Sequence, residues 1–580
     1  MTLATMIAMV IAINSSGVWG SDRSLQNPCE ALFVDDSPCA CNQPVNLDNF
    51  GFANFQDPPI YRSNQGLLAV DFDVTYTDPA QTKIGDCPVT LRSYNTGLVG
   101  PTLRLRPGDT LDVNLHNRLP VNQGNPSGNL NVPHHPNTTN FHGHGLHVSP
   151  LGNSDNVLIA VEPGDDFPIE MNIPADHPPG TFWYHPHSHG STAVQVGSGM
   201  AGVIVIEGGI DTIPEIAQAQ EHILIFQQIP YDTQGLIEPD ATTYWTFDSY
   251  FGNDAWPNLK RYTTVNGQLA PTIHMRPREV QRWRMLHAGV HESLKLILAQ
   301  NPLPTSEQEE LPLHEIAADG LTLGTIDTWT SRSWPFQDGS ALTSEDLGGL
   351  RLDPGNRSDV LVQASVEPGE YFLYDLDVRN DDSLRGSSEA LQIIARVVVE
   401  GAEDCSHYIC QLPSEQSLDR YIPLPPITDD EITNWDAPQE MVFNFLLSPI
   451  KSFTINGRPY SQDENDIRKL PLGKAEIWHL STAEEAFTKN HPFHIHVNPF
   501  QIDRHNPDGQ LERIWRDTVL VSSQEYPPSN PLKMRTRYDR YLGEFVLHCH
   551  ILDHEDQGMM QRVEVVLPNE VAKDATDRKS

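Results

Sequence analysis

Apolar and polar residues alternate with a period of two through much of the chain, in short runs rich in Val, Ile, Tyr and Phe with Gly, Pro and Asn between them. That rhythm predicts antiparallel strands with one buried face, packed as β-sandwiches. The runs also repeat. PTLRLRPGDTLDVNLHN from Pro101 is echoed by PTIHMRPREVQRWRMLHAG from Pro271, and KLPLGKAEIWHLST from Lys469 is a third, weaker copy. A later unit repeats too: PPGTFWYHPH leads to MAGVIVIEGG, PGEYFLYDLD to LQIIARVVVEG, and LGEFVLHCH to MMQRVEVV. Three copies of a two-part unit predict an all-β chain of three consecutive sandwich domains. Their expected limits are roughly 45–210, 211–425 and 426–568, with the Pro- and acid-rich SLDRYIPLPPITDDEITNW as the linker into the third.

The copies differ in chemistry. The first and third carry histidines where the middle copy has Tyr374 and Asp375, so the middle domain reads as a spacer without metal chemistry. The third ends in HCHILDHEDQGMM, where Cys549 lies between His548 and His550 and is followed by His554 and Met559. Thiolate, imidazole and a weak thioether together suit a type 1, electron-transferring copper. The second imidazole of that set is assigned to His491 in HPFHIH. If residues 545–550 are a strand, His548 and His550 share the face opposite Cys549 and must serve a different metal site. The spacing recurs in His142 and His144 of HGHG, His185 and His187 of WYHPH, and His494 and His496. A lone His-x-His occurs by chance or in zinc sites. Eight imidazoles in four pairs suffice for three coppers carrying three, three and two protein nitrogens.

Taken together, HGHG, WYHPH, HPFHIH and HCHILDHEDQGMM resemble the four signature motifs of the multicopper oxidases, the family of laccases, ascorbate oxidase, ceruloplasmin and bacterial copper-efflux oxidases. The resemblance implies three cupredoxin-like Greek-key domains and four coppers per chain. It implies that His491, Cys549, His554 and Met559 hold type 1 copper and that His142 and His494 hold type 2. His144, His185, His187, His496, His548 and His550 would hold the type 3 pair, at the interface of the first and third domains. A reducing substrate would deliver single electrons at the edge of His491 or His554, and Cys549 would pass them through the backbone to His548 and His550. Four such transfers, with four protons, reduce dioxygen to two waters. Glu555 and Asp155 resemble acids that relay those protons in bacterial members of the family. His189, two residues beyond His187, is expected behind the ligands rather than among them.

Charge and cysteines set the surroundings. With 38 basic and 77 acidic residues the formal charge is −39, which repels nucleic acid and anionic membranes and favours neutral or cationic small-molecule substrates. Residues 1–20 combine an apolar run with small residues at its end, as in a signal peptide, so a secreted or periplasmic protein, free of the membrane after cleavage, is expected. The tail from 569 to 580 is polar. Cys29, Cys39, Cys41, Cys87, Cys405 and Cys410 form an even set suited to disulfides, with fifteen possible pairings, of which Cys405–Cys410 is the local pair expected. By the family default the substrates are phenols or aromatic amines and the enzyme is a monomer. Oxidation of Fe(II), Mn(II) or Cu(I) is the alternative, although Met559 and Met560 are the only adjacent methionines and no Met-rich segment is present. A non-catalytic copper carrier or storage protein would need only the type 1 ligands.

Overall fold

The alternating runs become strands because each can bury one face while the backbone pairs edge to edge. The Leu67–Tyr76 strand, LLAVDFDVTY, shows it directly, its first eight residues alternating exposed and buried. In the computed structural model residues 52–571 are described, apart from 123–127, 232–236, 238–260, 305, 334–347, 379–382, 385–388, 423, 447–451 and 484–489. The expected signal segment, Cys29, Cys39, Cys41 and the tail beyond 571 lie outside the described residues.

Three cupredoxin-like β-sandwiches follow one another, and the sequence repeat is visible in their hydrogen bonding. In each, a short strand pairs in parallel with the last strand of the unit: Thr102–Leu105 with Gly202–Ile206, Thr272–Met275 with Gln392–Val399, and Arg468–Pro471 with Met560–Val566. In each, the long strand that follows pairs in parallel with an earlier one: Thr110–Asn117 with Leu67–Tyr76, Val280–His287 with Gln220–Pro230, and Ala475–Thr482 with Gln439–Leu446. One apolar core fills each sandwich, around Phe72 and Leu115, around Trp283 and Leu296, and around Trp478 and Phe493. Among the described residues no helix is long and apolar enough to cross a membrane.

Three strand pairs carry the histidines or their counterpart. His142–His144 pairs antiparallel with Gly180–His185, setting His142 opposite His185. Asn490–Ile495 pairs with Gly543–Cys549, setting His494 opposite His548 and Phe493 opposite Cys549. The middle sandwich has Leu294–Ala299 in that place, paired with Gly369–Asp375. Its outer face, Ile297, Ala299, Phe372 and Tyr374, is closed by apolar neighbours rather than lined by imidazoles.

Cys405 and Cys410 are disulfide-bonded to each other, as expected, and Cys87 is also in a disulfide. Cys549 is the free, buried cysteine among the described residues.

Candidate metal centre

Strand alternation places the chemistry. Along Gly543–Cys549, Cys549 points into the core of the third sandwich while His548 points out of it. On the facing strand Phe493 packs in the same core, with His491 on that side and His494 on the other. The consequence is one thiolate site inside the sandwich and one imidazole site outside it.

Inside, Cys549 Sγ lies 3.5 Å from His491 Nδ1 and 3.9 Å from His554 Nδ1. A metal holding a thiolate at about 2.3 Å and an imidazole at about 2.0 Å in a trigonal arrangement separates sulfur from nitrogen by about 3.7 Å, so these spacings fit a His₂Cys set. Met559 is buried in the same core, its N–H donating to the His554 carbonyl at 2.9 Å and its own carbonyl accepting from the Cys549 N–H at 3.0 Å. Burial pushes the Cys549 thiol well above its ordinary value, so in this apolar pocket only a bound cation would hold it as thiolate.

Outside, the four His-x-His pairs meet in near two-fold fashion. His142 stacks on His496 with ring centroids 3.9 Å apart, and His144 stacks on His494 at 3.8 Å. Three groups bring their candidate ligand atoms within 4.8 Å of one another: His142, His144 and His494; His144, His185 and His550; and His187, His496 and His548. In the last, His548 Nε2 is 3.1 Å from His187 Nε2 and 3.3 Å from His496 Nε2. Nitrogens each about 2.0 Å from one tetrahedral metal lie about 3.3 Å apart. The nitrogens turned away from the centre have partners: His142 Nδ1 meets Asp155 at 2.9 Å, His494 Nδ1 the Asp517 carbonyl at 2.8 Å, His185 Nδ1 the Pro186 carbonyl at 2.9 Å and His548 Nδ1 the Cys549 carbonyl at 3.0 Å. Their opposite nitrogens, His142 Nε2, His185 Nε2 and His494 Nε2, are buried and have no hydrogen-bond partner, nor has either ring nitrogen of His550. Buried orphan acceptors are costly, and convergent neutral imidazoles held from behind are the usual preparation of a metal site. Burial first, then neighbouring imidazoles, hold His142, His144, His187, His496 and His550 far below their ordinary value. All are therefore neutral imidazoles at pH 7. The residues fit copper: sulfur and two imidazoles in one site, imidazoles alone in the other.

Both acids named from the sequence are buried beside the imidazoles. Glu555 lies 3.4 Å from the Nδ1 atoms of both His187 and His548 and accepts from Thr192 Oγ1 at 3.2 Å. Burial, then the neighbouring Asp556 carboxylate, push its carboxyl well above the ordinary range. Asp155 also accepts from the Gly143 N–H at 2.9 Å, and burial pushes it up to about 7. It is no solvated capping acid.

The edges of His491 and His554 do not reach the surface: both residues are 0% exposed, under Phe443, Phe453 and His291. His189 lies beyond the end of the Gly180–His185 strand, so alternation does not aim it at the ligands; its ring packs on Tyr460 with centroids 4.4 Å apart. It lines a cavity of about 340 Å³ that runs from the surface at Leu158 to His187.

Sequence reasoning missed Asp517, Arg357 and His291. Asp517 touches the His144 ring, Arg357 holds Asp517, and His291 pairs with Asp553 at 3.3 Å beside His554. An acid inside the apolar run IWRDTVLV was the one available signal for Asp517. Arg357 and His291 come from the middle sandwich, where no motif points to the site.

A free thiol beside two imidazoles, next to a cage of eight imidazoles between cupredoxin-like sandwiches, defines a metal-dependent redox protein. Residues 130–209 and 423–568 each match a family model described as multicopper oxidase. The chain is 23% identical over 493 residues to a multicopper oxidase of Staphylococcus haemolyticus, covering 81% of this chain and 83% of that protein. It is 25% identical over 527 residues to a laccase of Haloferax volcanii, covering 87% and 79%. A Campylobacter jejuni multicopper oxidase described as a metallo-oxidase superposes with a TM-score of 0.65 at 21% identity, covering 90% of this chain and 97% of the other. The chain belongs to the multicopper oxidase family. It is therefore an oxidoreductase that uses copper, dioxygen and a reducing substrate.

Proposed function

We propose that the chain holds four coppers: type 1 on His491, Cys549, His554 and Met559, type 2 on His142 and His494, and a type 3 pair on His144, His185, His187, His496, His548 and His550. Copper bound there would supply one-electron exchange at the thiolate site and dioxygen reduction at the imidazole cluster. The observation that carries the reading is covalent: Cys549 of the first site is bonded in sequence to His548 and His550, which face two different groups of the second. That short stretch of backbone is the electron route, and it needs no diffusing carrier. Reduction of one dioxygen to two waters takes four electrons from substrate and four protons from solvent. Glu555, between the back nitrogens of His187 and His548 and biased toward its protonated form, is placed to hand on protons; Asp155 does the same behind His142. The cavity that reaches His187 is the route we assign to dioxygen and water.

Laccase-like oxidation of phenols or aromatic amines is the first reading of the substrate. A second reading, oxidation of a small metal ion such as Fe(II), Mn(II) or Cu(I), rests on the charge of the chain. The strongly acidic chain, with 77 acidic against 38 basic residues, would draw such cations to its surface. A disulfide and the expected signal segment support an exported enzyme, and the family default makes it a monomer. Oxygen uptake by the copper-loaded protein, with a phenol and with ferrous, manganous and cuprous salts side by side, tests the function and separates the substrates. Uptake at background with all four would favour a copper carrier.

A further inference from the structure

The middle sandwich carries none of the ligand motifs, yet two of its turns reach the imidazole cluster. The first joins Leu313–Ala318 to Leu321–Trp329 through Asp319 and Gly320, both with positive φ (46° and 78°). Asp-Gly is the pair such a tight hairpin demands. This turn is wedged between the other two domains. A Cβ on Gly180 of the first sandwich would lie 1.7 Å from the Gly320 carbonyl oxygen, so only glycine fits there. On the other side the Asp319 carboxylate accepts from the backbone N–H groups of Asp517 and Thr518, each at 3.3 Å, and from Arg516 Nε at 2.8 Å, all in the third sandwich. The second turn, Asp353–Asn356, puts Gly355 against the His550 ring: a Cβ there would lie 2.9 Å from it.

From these turns a buried chain of polar contacts runs into the cluster. Arg357, fully buried, grips Asp517 with two parallel bonds, Nη1 to Oδ1 at 2.8 Å and Nη2 to Oδ2 at 2.5 Å. Its remaining donors meet the Gly355 carbonyl at 2.9 Å and the Thr181 carbonyl at 3.2 Å. Asn356 donates to the Thr518 carbonyl at 3.2 Å. Asp517 then acts on two cluster imidazoles at once: its Oδ1 lies 3.3 Å from His144 Nε2, and its backbone carbonyl 2.8 Å from His494 Nδ1. A hydrogen on His144 Nε2 directed at Asp517 leaves Nδ1, which is buried and without a hydrogen-bond partner, as the lone pair facing the centre.

We infer that Arg357 is a positioning residue for the cluster, acting from the middle sandwich through Asp517 to fix the tautomer and ring plane of His144. The middle domain is thus more than the spacer its missing histidines suggest. The physical case is geometric. A buried carboxylate unpaired in this apolar junction would be costly and free to rotate, whereas a guanidinium fork fixes both its charge and its plane. An ammonium at the same place would supply charge without the plane.

The inference rests on the assignment of His142, His144 and His494 to cluster copper, and the test separates the two. Arg357→Lys, Arg357→Gln, Asp517→Asn and the double variant Arg357→Gln/Asp517→Asn are loaded with copper. Each is compared with wild type by copper content after dialysis against a chelator, by the type 2 electron paramagnetic resonance signal and by the blue absorption of the Cys549 site. The expected result is that cluster copper is retained about 10–100-fold less well in every variant, with an altered type 2 signal and an unchanged blue band. The double variant should be no worse than the poorer single one, because both remove the same support. Arg357→Lys keeps the buried charge, so a cluster defect in that variant speaks for geometry. Unchanged type 2 signal and retention in Arg357→Lys and Arg357→Gln would overturn the inference. Parallel loss of the blue band, or strictly additive losses in the double variant, would overturn it too, as marks of general unfolding or independent roles. Wild type that binds only the Cys549 copper would sink the cluster assignment and the inference with it.

Discussion

The middle sandwich and its two neighbours are built to one plan and do different work. In the outer pair, the strand beside the penultimate one carries histidines on the face turned away from the core, His142–His144 and Asn490–Ile495. In the middle the same place holds Leu294–Ala299, and that face is an apolar patch of Ile297, Ala299, Phe372 and Tyr374 packed under Phe52, Leu391 and Ile393. The middle and third sandwiches share six- and five-stranded sheets in the same order, and the first keeps the same central strand pairs, so metal chemistry here is a property of a few side chains and of what faces them. Two imidazole faces meet only between the first and third sandwiches. The middle one contributes from its turns instead of its sheet, and what it contributes is support for ligands rather than ligands.

The contrast is broken most severely at Cys549. Cys549→Ser removes the sulfur that makes the inner site, and the copper-loaded variant should be colourless and without measurable oxygen uptake. A blue or active variant would show that the thiolate is not the electron port. Next in size is Glu555→Gln, which keeps shape and hydrogen bonding but cannot carry a proton; return of the blue band on mixing the reduced protein with oxygen should slow about 100-fold or more, while anaerobic bleaching by substrate keeps its rate. Equal recovery rates would leave Glu555 without a part in proton delivery.

The metal-free protein gives a third, more moderate effect, read in stability against pH. Burial depresses the cluster imidazoles, His185 to about 3 and His548 to about 4, against 6.5 in an open chain. Between those values the unfolded chain binds more protons than the folded one, so stability rises with pH up to about 6.5. Asp155 and Asp556 work in the opposite sense. Each is pushed from 3.8 up to about 7, so the folded chain binds the extra proton, and this contribution is present at low pH and lost as pH rises through 7. The imidazoles outnumber the acids, which predicts a steep acid limb and a shallow alkaline decline. Urea unfolding of the apo-protein at about pH 5, 6.5 and 8.5 should place the maximum near the middle value. A steady rise through the highest pH, or an alkaline limb unaltered by Asp155→Asn, would contradict it.

The smallest effect on copper is expected where the contrast is most literal. Tyr374→His puts an imidazole on the middle sheet in the position of a ligand, but onto an apolar face with no facing partner. Copper per chain should stay the same, and stability should fall by about 1–3 kcal/mol for the buried unpaired ring nitrogen. A gain of one copper would show that the outer face alone makes a site.

Much of this was legible in the sequence for simple reasons. Strands advertise themselves by alternation, and the repeat from Pro101 to Pro271 to Lys469 survives as three parallel strand pairs. The ligands were legible because each sits at fixed spacing on one strand, where alternation decides which of His548 and Cys549 faces the core. Arg357, Asp319 and Asp517 were not. Their roles depend on turns from different domains meeting in space, and single charged residues in runs such as AADGL and WRDTV carry no periodic mark. The burial of His491 and His554 was hidden for the same reason, since Phe453 and His291 cover them from distant parts of the chain.

The meeting of His187 with His548 spans 361 residues of chain. At a synthesis rate of about 5–20 residues per second, the first half of the cage exists for roughly 20–70 seconds before its partner strand is made. During that interval the N-terminal sandwich can offer copper only half a coordination shell. The cage is closed by His548 and His550, so the binding site is completed only when the third sandwich has been made. Loading the cluster thus waits for the third sandwich, and a chain cut short before Gly543 would lack His548 and His550 however well its first two domains had folded.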